Sequence, residues 1–323
     1  MKTKTVSFLP IELLYKADEI IELRNARLDT LYTPGADYTV EDGKLVIPSG
    51  SAVKKMPYNE FFLKHEIPGK CFGAERGGYI MFAQGSELHD RQLAVTYRHS
   101  GTWCGNIPPD KSELLPRTIK KLRNGEEITI LVFGDSISTG ANSSKVVDAP
   151  PFAEDWCTMT VRGLESRYGN AKIRLVNKAV GGTVSAWGAQ NAREASACIP
   201  DLAIIGFGMN DGSGKVPTEE YEKNTREIMR LISAESPECE FVLIATTLAH
   251  SEVKGFFGIQ EDYLPILTKL QHTGVAVADM TTLHKQLLGR KRFFDMSGNN
   301  VNHPNDFLAR AYAQCLLATL GAI

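Results

Sequence analysis

The chain has 323 residues, too many for one small module and comfortable for two domains of roughly 100–200 residues each. Hydrophobic residues make up 43% and charged residues 23%, an ordinary globular mix that excludes a disordered or fibrous chain. Lys plus Arg (36) against Asp plus Glu (38) leaves −2, which argues against a dedicated nucleic-acid binder, and no run approaches the ~18 apolar residues that span a bilayer.

Met1-Lys2-Thr3-Lys4 opens like a signal peptide, but Pro10 and Glu12 cut the apolar stretch that starts at Val6. No h-region of about 7–15 residues survives. Cys71, Cys104, Cys157, Cys198, Cys239 and Cys315 contain no CxxC pair and read as reduced thiols. These features predict a cytoplasmic protein without a structural zinc site. Further along, Lys44–Ile47 follows Asp42-Gly43, a pair suited to a tight hairpin. Gly78–Phe82 and Gln92–Tyr97 are β-branched and aromatic, with a polar turn between them. Residues 1 to about 106 therefore read as mainly antiparallel β, a small sandwich, although residues 11–28 suit helix and strand equally. Pro108–Glu127, with its prolines, basic residues and Asn124-Gly125, reads as a linker. The predicted domains are 1–123, β-rich plus linker, and 124–323.

The second domain has a β-α-β-α rhythm. Ile128–Phe133, Ile173–Asn177, Leu202–Phe207, Phe241–Thr246 and Val275–Ala278 are nearly continuous apolar runs, the pattern of strands buried on both faces of a parallel sheet. Segments of helical length lie between and after them, at Phe152–Tyr168, Pro217–Ser233, Asp262–His272 and Phe307–Leu320. Such alternation predicts an open sheet with helices on both faces, whose ligands sit beyond the carboxyl ends of the strands.

Four polar segments fall at those ends: Gly134-Asp135-Ser136, Gly181-Gly182-Thr183, Gly208-Met209-Asn210-Asp211, and Asn300-Val301-Asn302-His303-Pro304. Together they suit acyl transfer. A serine on a strand-to-helix turn exposes its oxygen and sets its N–H at the positive end of a helix dipole. His303 can take the Ser136 proton and return it to the leaving group. The Ser136 N–H, the Gly182 N–H and the Asn210 amide supply three oxyanion donors, each worth about 2.7–4 kcal/mol. Taken singly, Ser136 suits a helix cap and His303 a turn, and it is the convergence of all four segments that favours chemistry. Trp187 and Trp103 read as core more readily than as pocket walls. His65, His89, His99, His250, His272 and His284 lack ligand spacing and read as structural or surface residues.

In order and content the four segments resemble the blocks of the SGNH hydrolases (the GDSL esterases and lipases), over residues 134–304. The resemblance implies a flavodoxin-like α/β/α domain with a five-stranded parallel sheet. It also implies Ser136 as nucleophile, His303 as base, Ser136, Gly182 and Asn210 as the oxyanion hole, structural roles for Asp135 and Asp211, and neither cofactor nor metal. One position departs from the family, which usually places aspartate three residues before the histidine, where this chain has Asn300. Asn300 can orient His303 through its amide oxygen, as in Cys-His-Asn enzymes. A backbone carbonyl can do so instead, or Asp295 or Asp306. Asp306 also suits a cap on the last helix.

A β domain joined to such a hydrolase is similar to two-domain carbohydrate acetylesterases, an analogy of architecture. The expectation is a serine esterase for small O-acyl esters of carbohydrates, with an acyl ester or acetylated sugar as its small-molecule partner, and no nucleic acid or membrane. A homo-oligomer stays open. The alternatives are a lysophospholipase or thioesterase, and a catalytically degenerate carbohydrate-binding protein, which Asn300 favours. A phosphate site is disfavoured, because Gly134–Gly140 lacks the P-loop lysine.

Overall fold

The computed structural model describes residues 10–323; the basic opening residues Met1–Lys4 and the start of the apolar stretch, Val6–Leu9, lie outside them. The N-terminal part forms three small antiparallel sheets. β1 (Glu19–Asn25) pairs with a later strand, β7, while β2 (Thr39–Glu41) and β3 (Lys44–Val46) form a hairpin. Between its strands Asp42 and Gly43 both take left-handed backbone angles (φ 50° and 73°), as the predicted turn requires. The short helix α1 (Tyr58–Phe61) leads into β4 (Phe62–Leu63), β5 (Cys71–Gly73) and β6 (Tyr79–Met81), with β6 central. β7 (Leu93–Arg98) returns to β1, so the two strand runs around residue 87 join different sheets. The ambiguous stretch resolves as strand, since Leu23 points into a core with Tyr32, Tyr38 and Leu45.

The predicted linker is not one. Pro116–Asn124 forms helix α2, with Pro116 opening its first turn and Gly125 (φ 65°) closing it. Ile119 and Leu122, three residues apart, enter the core below the main sheet. The fully buried Glu240 accepts the Arg117 and Thr118 N–H groups (3.1 and 2.8 Å), two donors a helix start leaves free. That anchor comes from 122 residues away, beyond the reach of local patterning.

The main sheet is parallel throughout. β8 (Glu127–Gly134), α3 (Trp156–Tyr168), β9 (Lys172–Asn177), α4 (Ser185–Ala195), β10 (Leu202–Gly206), α5 (Met209–Ser213), α6 (Thr218–Glu235), β11 (Glu240–Ala245), α7 (Tyr263–Lys269), β12 (Val275–Asp279), α8 (Met280–Leu288) and α9 (Asp306–Thr319) follow in turn. Strand order is β12-β11-β10-β8-β9. Alternate residues serve two cores: Ile128, Ile130 and Val132 face α2, α3 and α9, while Leu131 and Phe133 face α4 and α6. α3 starts four residues later than predicted because Asp155 caps it, accepting the Thr158 N–H (3.0 Å). At α9 the cap is Asn305, which accepts the Phe307 and Leu308 N–H groups (both 3.1 Å), and Asp306 is the first helical residue.

Glu240→Ala strips the start of α2 of its acceptor. Urea unfolding should show a loss of roughly 2–4 kcal/mol for the two orphaned donors, and a loss below about 0.5 kcal/mol would contradict the anchoring role.

Candidate active site

Gly134 and Gly206 are register partners where β8 and β10 end. Their backbones approach so closely that a Cβ on Gly134 would lie 2.4 Å from the Gly206 carbonyl oxygen. The chain then turns at once: Ser138 and Thr139 N–H donate to the Asp135 carbonyl (3.0 and 3.2 Å), and Ala141 N–H to that of Ser136 (3.2 Å). This tight turn, rather than the predicted helix N-terminus, presents Ser136; the next helix is α3. Asp135 turns inward and accepts the Ile137 N–H (2.9 Å), and burial pushes its carboxyl up to about 7.

Past β9, Gly182 is exposed and left-handed (φ 79°), a conformation glycine adopts without strain. A Cβ on Gly181 would sit 3.7 Å from the Ser136 Cβ, so this loop borders the serine. The buried Asp211 ties the neighbouring loops together by accepting the Ser185 N–H (2.9 Å) and hydroxyl, and burial pushes its carboxyl up as well. Asn210 donates one amide hydrogen to the Thr183 carbonyl (2.8 Å), which leaves the second for a ligand.

His303 reaches this edge from the loop before α9. Its Nε2 lies 2.9 Å from Ser136 Oγ, and its Nδ1 lies 2.7 Å from Asn142 Oδ1. Burial lowers its pKa to about 4, so the ring is neutral around pH 7. Asn300 is not its partner. Asn300 is left-handed (φ 69°) and turns away: its amide donates to the Met81 carbonyl (3.0 Å), and its own carbonyl accepts from His250 Nδ1 (2.9 Å). Asp295 is held by Arg292, and Asp306 accepts the Ser144 N–H (2.8 Å). The Nδ1 partner is a side chain, so the backbone-carbonyl alternative is not met either.

Two residues at this edge escaped the sequence reading. Asn142 sits in a polar turn with nothing local to mark it. Asn299 organises the histidine loop: its Oδ1 accepts the N–H groups of Val301, Asn302 and His303 (2.9, 2.9 and 3.0 Å), and its amide donates to Asn302 Oδ1 (2.9 Å). The available signal was the cluster Asn299-Asn300-Val301-Asn302, since short amides bond their own following backbone. Trp187 packs against Phe133 and Phe207 (ring centroids 5.7 and 6.5 Å) in the core of one helix layer.

Ser136 and His303 thus meet at the carboxyl edge of a parallel sheet covered by helices on both faces. Residues 132–311 match the family model described as the GDSL-like lipase/acylhydrolase family, and the chain belongs to that family. No curated protein matches it. Among solved structures it is similar to a two-domain esterase active on acetylated mannans, at 20% identity and a TM-score of 0.52 over 65% of this chain and 53% of that one. It is also similar to a GDSL-like lipase from Parabacteroides merdae (18%, 0.51, 61% and 96%) and to a variant of an acetyl-xylooligosaccharide esterase from Geobacillus (18%, 0.50, 60% and 94%). At these identities the likeness is one of fold. The chain aligns with about half the length of the mannan esterase (53%).

Asn299→Ala leaves three loop N–H groups without their acceptor. Its expected effect is a stability loss of roughly 2–4 kcal/mol, seen in thermal or urea unfolding, together with a lower kcat as His303 is displaced. Unchanged unfolding would show that water takes over those donors.

Proposed function

We propose that this protein is a serine esterase that removes small acyl groups, O-acetyl on carbohydrates being the best fit, through an acyl-enzyme on Ser136. The 2.9 Å approach of His303 Nε2 to Ser136 Oγ is the observation that carries this reading, because 167 residues separate the two in the chain. In the reaction, Ser136 Oγ bonds to the ester carbonyl carbon while its proton passes to Nε2. The carbonyl electrons move onto oxygen, where the Ser136 and Gly182 N–H groups and the free Asn210 amide hydrogen meet the new charge. As the intermediate collapses, the carbon–oxygen bond to the sugar breaks and the imidazolium returns its proton to that oxygen. Water then repeats the sequence on the acyl-serine, releasing the carboxylic acid and restoring Ser136.

The acetylated-mannan and acetyl-xylooligosaccharide esterases of the same fold support the choice of substrate by analogy. Among the described residues no helix is long and apolar enough to cross a membrane. A β-rich N-terminal domain precedes a hydrolase domain, and α2 goes with the hydrolase because it packs beneath that sheet.

Turnover of p-nitrophenyl acetate should exceed that of longer esters, and Ser136→Ala should abolish it. Comparable turnover by Ser136→Ala would remove the nucleophile claim; preference for long chains would favour a lysophospholipase or thioesterase. A correctly folded wild type that is inert to both ester and fluorophosphonate would favour the binding-protein alternative. The pH profile is a second test. With the His303 pKa at about 4, the base form persists well below the ordinary value near 6.5, so kcat/KM should stay level through mild acid and fall only as pH approaches 4. An acidic limb centred near 6.5 would show that the imidazole is not in the desolvated state described.

A further inference from the structure

We infer that Asn142 is the positioning residue of His303, and that the N-terminal domain sets its orientation through the backbone carbonyl of Gln84. The inference rests on the acyl-enzyme reading above and adds the element that the family's usual aspartate would supply.

Asn142 is buried and left-handed (φ 65°), a conformation that asparagine tolerates better than most residues. Its Oδ1 faces His303 Nδ1 at 2.7 Å, and its Nδ2 faces the Gln84 carbonyl at 3.2 Å. A carbonyl oxygen only accepts, so the atom facing Gln84 must be the amide nitrogen and the atom facing His303 must be the amide oxygen. The imidazole therefore carries its proton on Nδ1 and presents a bare Nε2 to the Ser136 hydroxyl. One backbone carbonyl outside the hydrolase sheet thus selects the histidine tautomer that can act as a base.

The same contact favours an amide over a carboxylate. An amide of this size offers an acceptor to the imidazole and a donor to the carbonyl; an ionised aspartate would set a carboxylate oxygen against the Gln84 oxygen. The backbone around Gln84 is tied to the histidine loop too. Met81 O accepts from the Asn300 amide (3.0 Å), and Ala83 N–H donates to Asn299 O (3.4 Å). Gln92 adds a side-chain tie, donating to the Ser297 carbonyl (2.9 Å) and accepting from the Asn305 amide (3.0 Å). Gly298 is small for the same reason, since a Cβ there would lie 2.5 Å from the Asn142 Cβ. Residues 81–84 act as a clasp that holds the loop of Asn142 and the loop of His303 in one register.

The test uses the full chain carrying Asn142→Ala or Asn142→Asp, with thermal unfolding as the folding control. For Asn142→Ala, kcat should fall on the order of 100-fold or more while KM stays within about threefold. Asn142→Asp restores an acceptor and adds a charge beside the ring, so it should recover at least about tenfold over Asn142→Ala at pH 8 and move the acidic limb of kcat/KM up by about one unit or more. Independently of activity, ¹⁵N-histidine NMR of the wild type should show His303 protonated on Nδ1 and bare on Nε2. Three results would each overturn the inference: a folded Asn142→Ala within about threefold of wild-type kcat, an Asn142→Asp acidic limb at the wild-type position, or an Nε2–H tautomer. If Asn142→Ala does not fold, the aspartate profile and the wild-type tautomer still decide. Failure of the underlying reading looks different, because Ser136→Ala would then stay active, whereas failure of this inference leaves Ser136→Ala inactive and Asn142→Ala active.

Discussion

A hydrogen-bonded line running from Ser136 Oγ through the His303 ring and the Asn142 amide to the Gln84 carbonyl holds the candidate site together. Its four members come from the end of β8, the loop before α9, the turn after Ser136, and the N-terminal part of the chain. Each link limits the next, because a carbonyl accepts only, an amide does both, and a neutral imidazole does one at each nitrogen. Nothing in the line bears a formal charge around pH 7. Burial has already driven the imidazole toward neutrality, and a neutral partner leaves that balance undisturbed. A carboxylate in the same place would raise the ring's proton affinity and compete with the effect of burial.

The buried carboxylates serve elsewhere. Asp135 holds the turn that presents Ser136, and Asp211 holds the start of α4, which fixes the loop containing Gly182. Both lose hydration, and Asp211 further raises the Asp135 pKa by its charge. They persist because each accepts backbone N–H groups that a tight turn leaves unpaired. Both carboxylates are thus spent on holding loops in place, Asp135 the turn at Ser136 and Asp211 the loop before α4.

The strands of the main sheet were readable because β8, β10 and β11 are apolar on both faces, and a run of five or six such residues has few other uses in a chain of this composition. Helices built from small or polar residues were harder to see. α4 (SAWGAQNAREA) buries glycine and alanine against α6 and shows little apolar periodicity, and α2 depends on Glu240, far away in sequence. The same division holds for the site. Ser136 and His303, which meet in the structure, fall at a strand end and within a known block. Asn142 does neither, and its meaning depends on two partners at separations of 58 and 161 residues. The departure at position 300 marked the place where the family pattern breaks, but Asn300 itself, a backbone carbonyl, Asp295 and Asp306 were the partners it suggested, and the structure places Asn142 there instead.

The N-terminal sheets also bear on where the molecule divides. One core packs Phe61, Ala74 and Ile80 from that region with Val253 and Val301 from the loops beside the site, so no clean surface separates the two parts there. An isolated bridge between Ala74 and Val253 and a bond from Lys254 N–H to the Gly73 carbonyl (2.8 Å) extend the seam. At the other end the seam is sharper. From Lys111, whose N–H bonds the Thr319 carbonyl (3.0 Å), the chain is already committed to the hydrolase layers, and α2 covers their core. A hydrolase beginning after residue 123 would lose that cover and, with residues 81–84 gone, the carbonyl that orients Asn142. Geometry at the imidazole therefore depends on a segment that by fold alone would pass for an appendage.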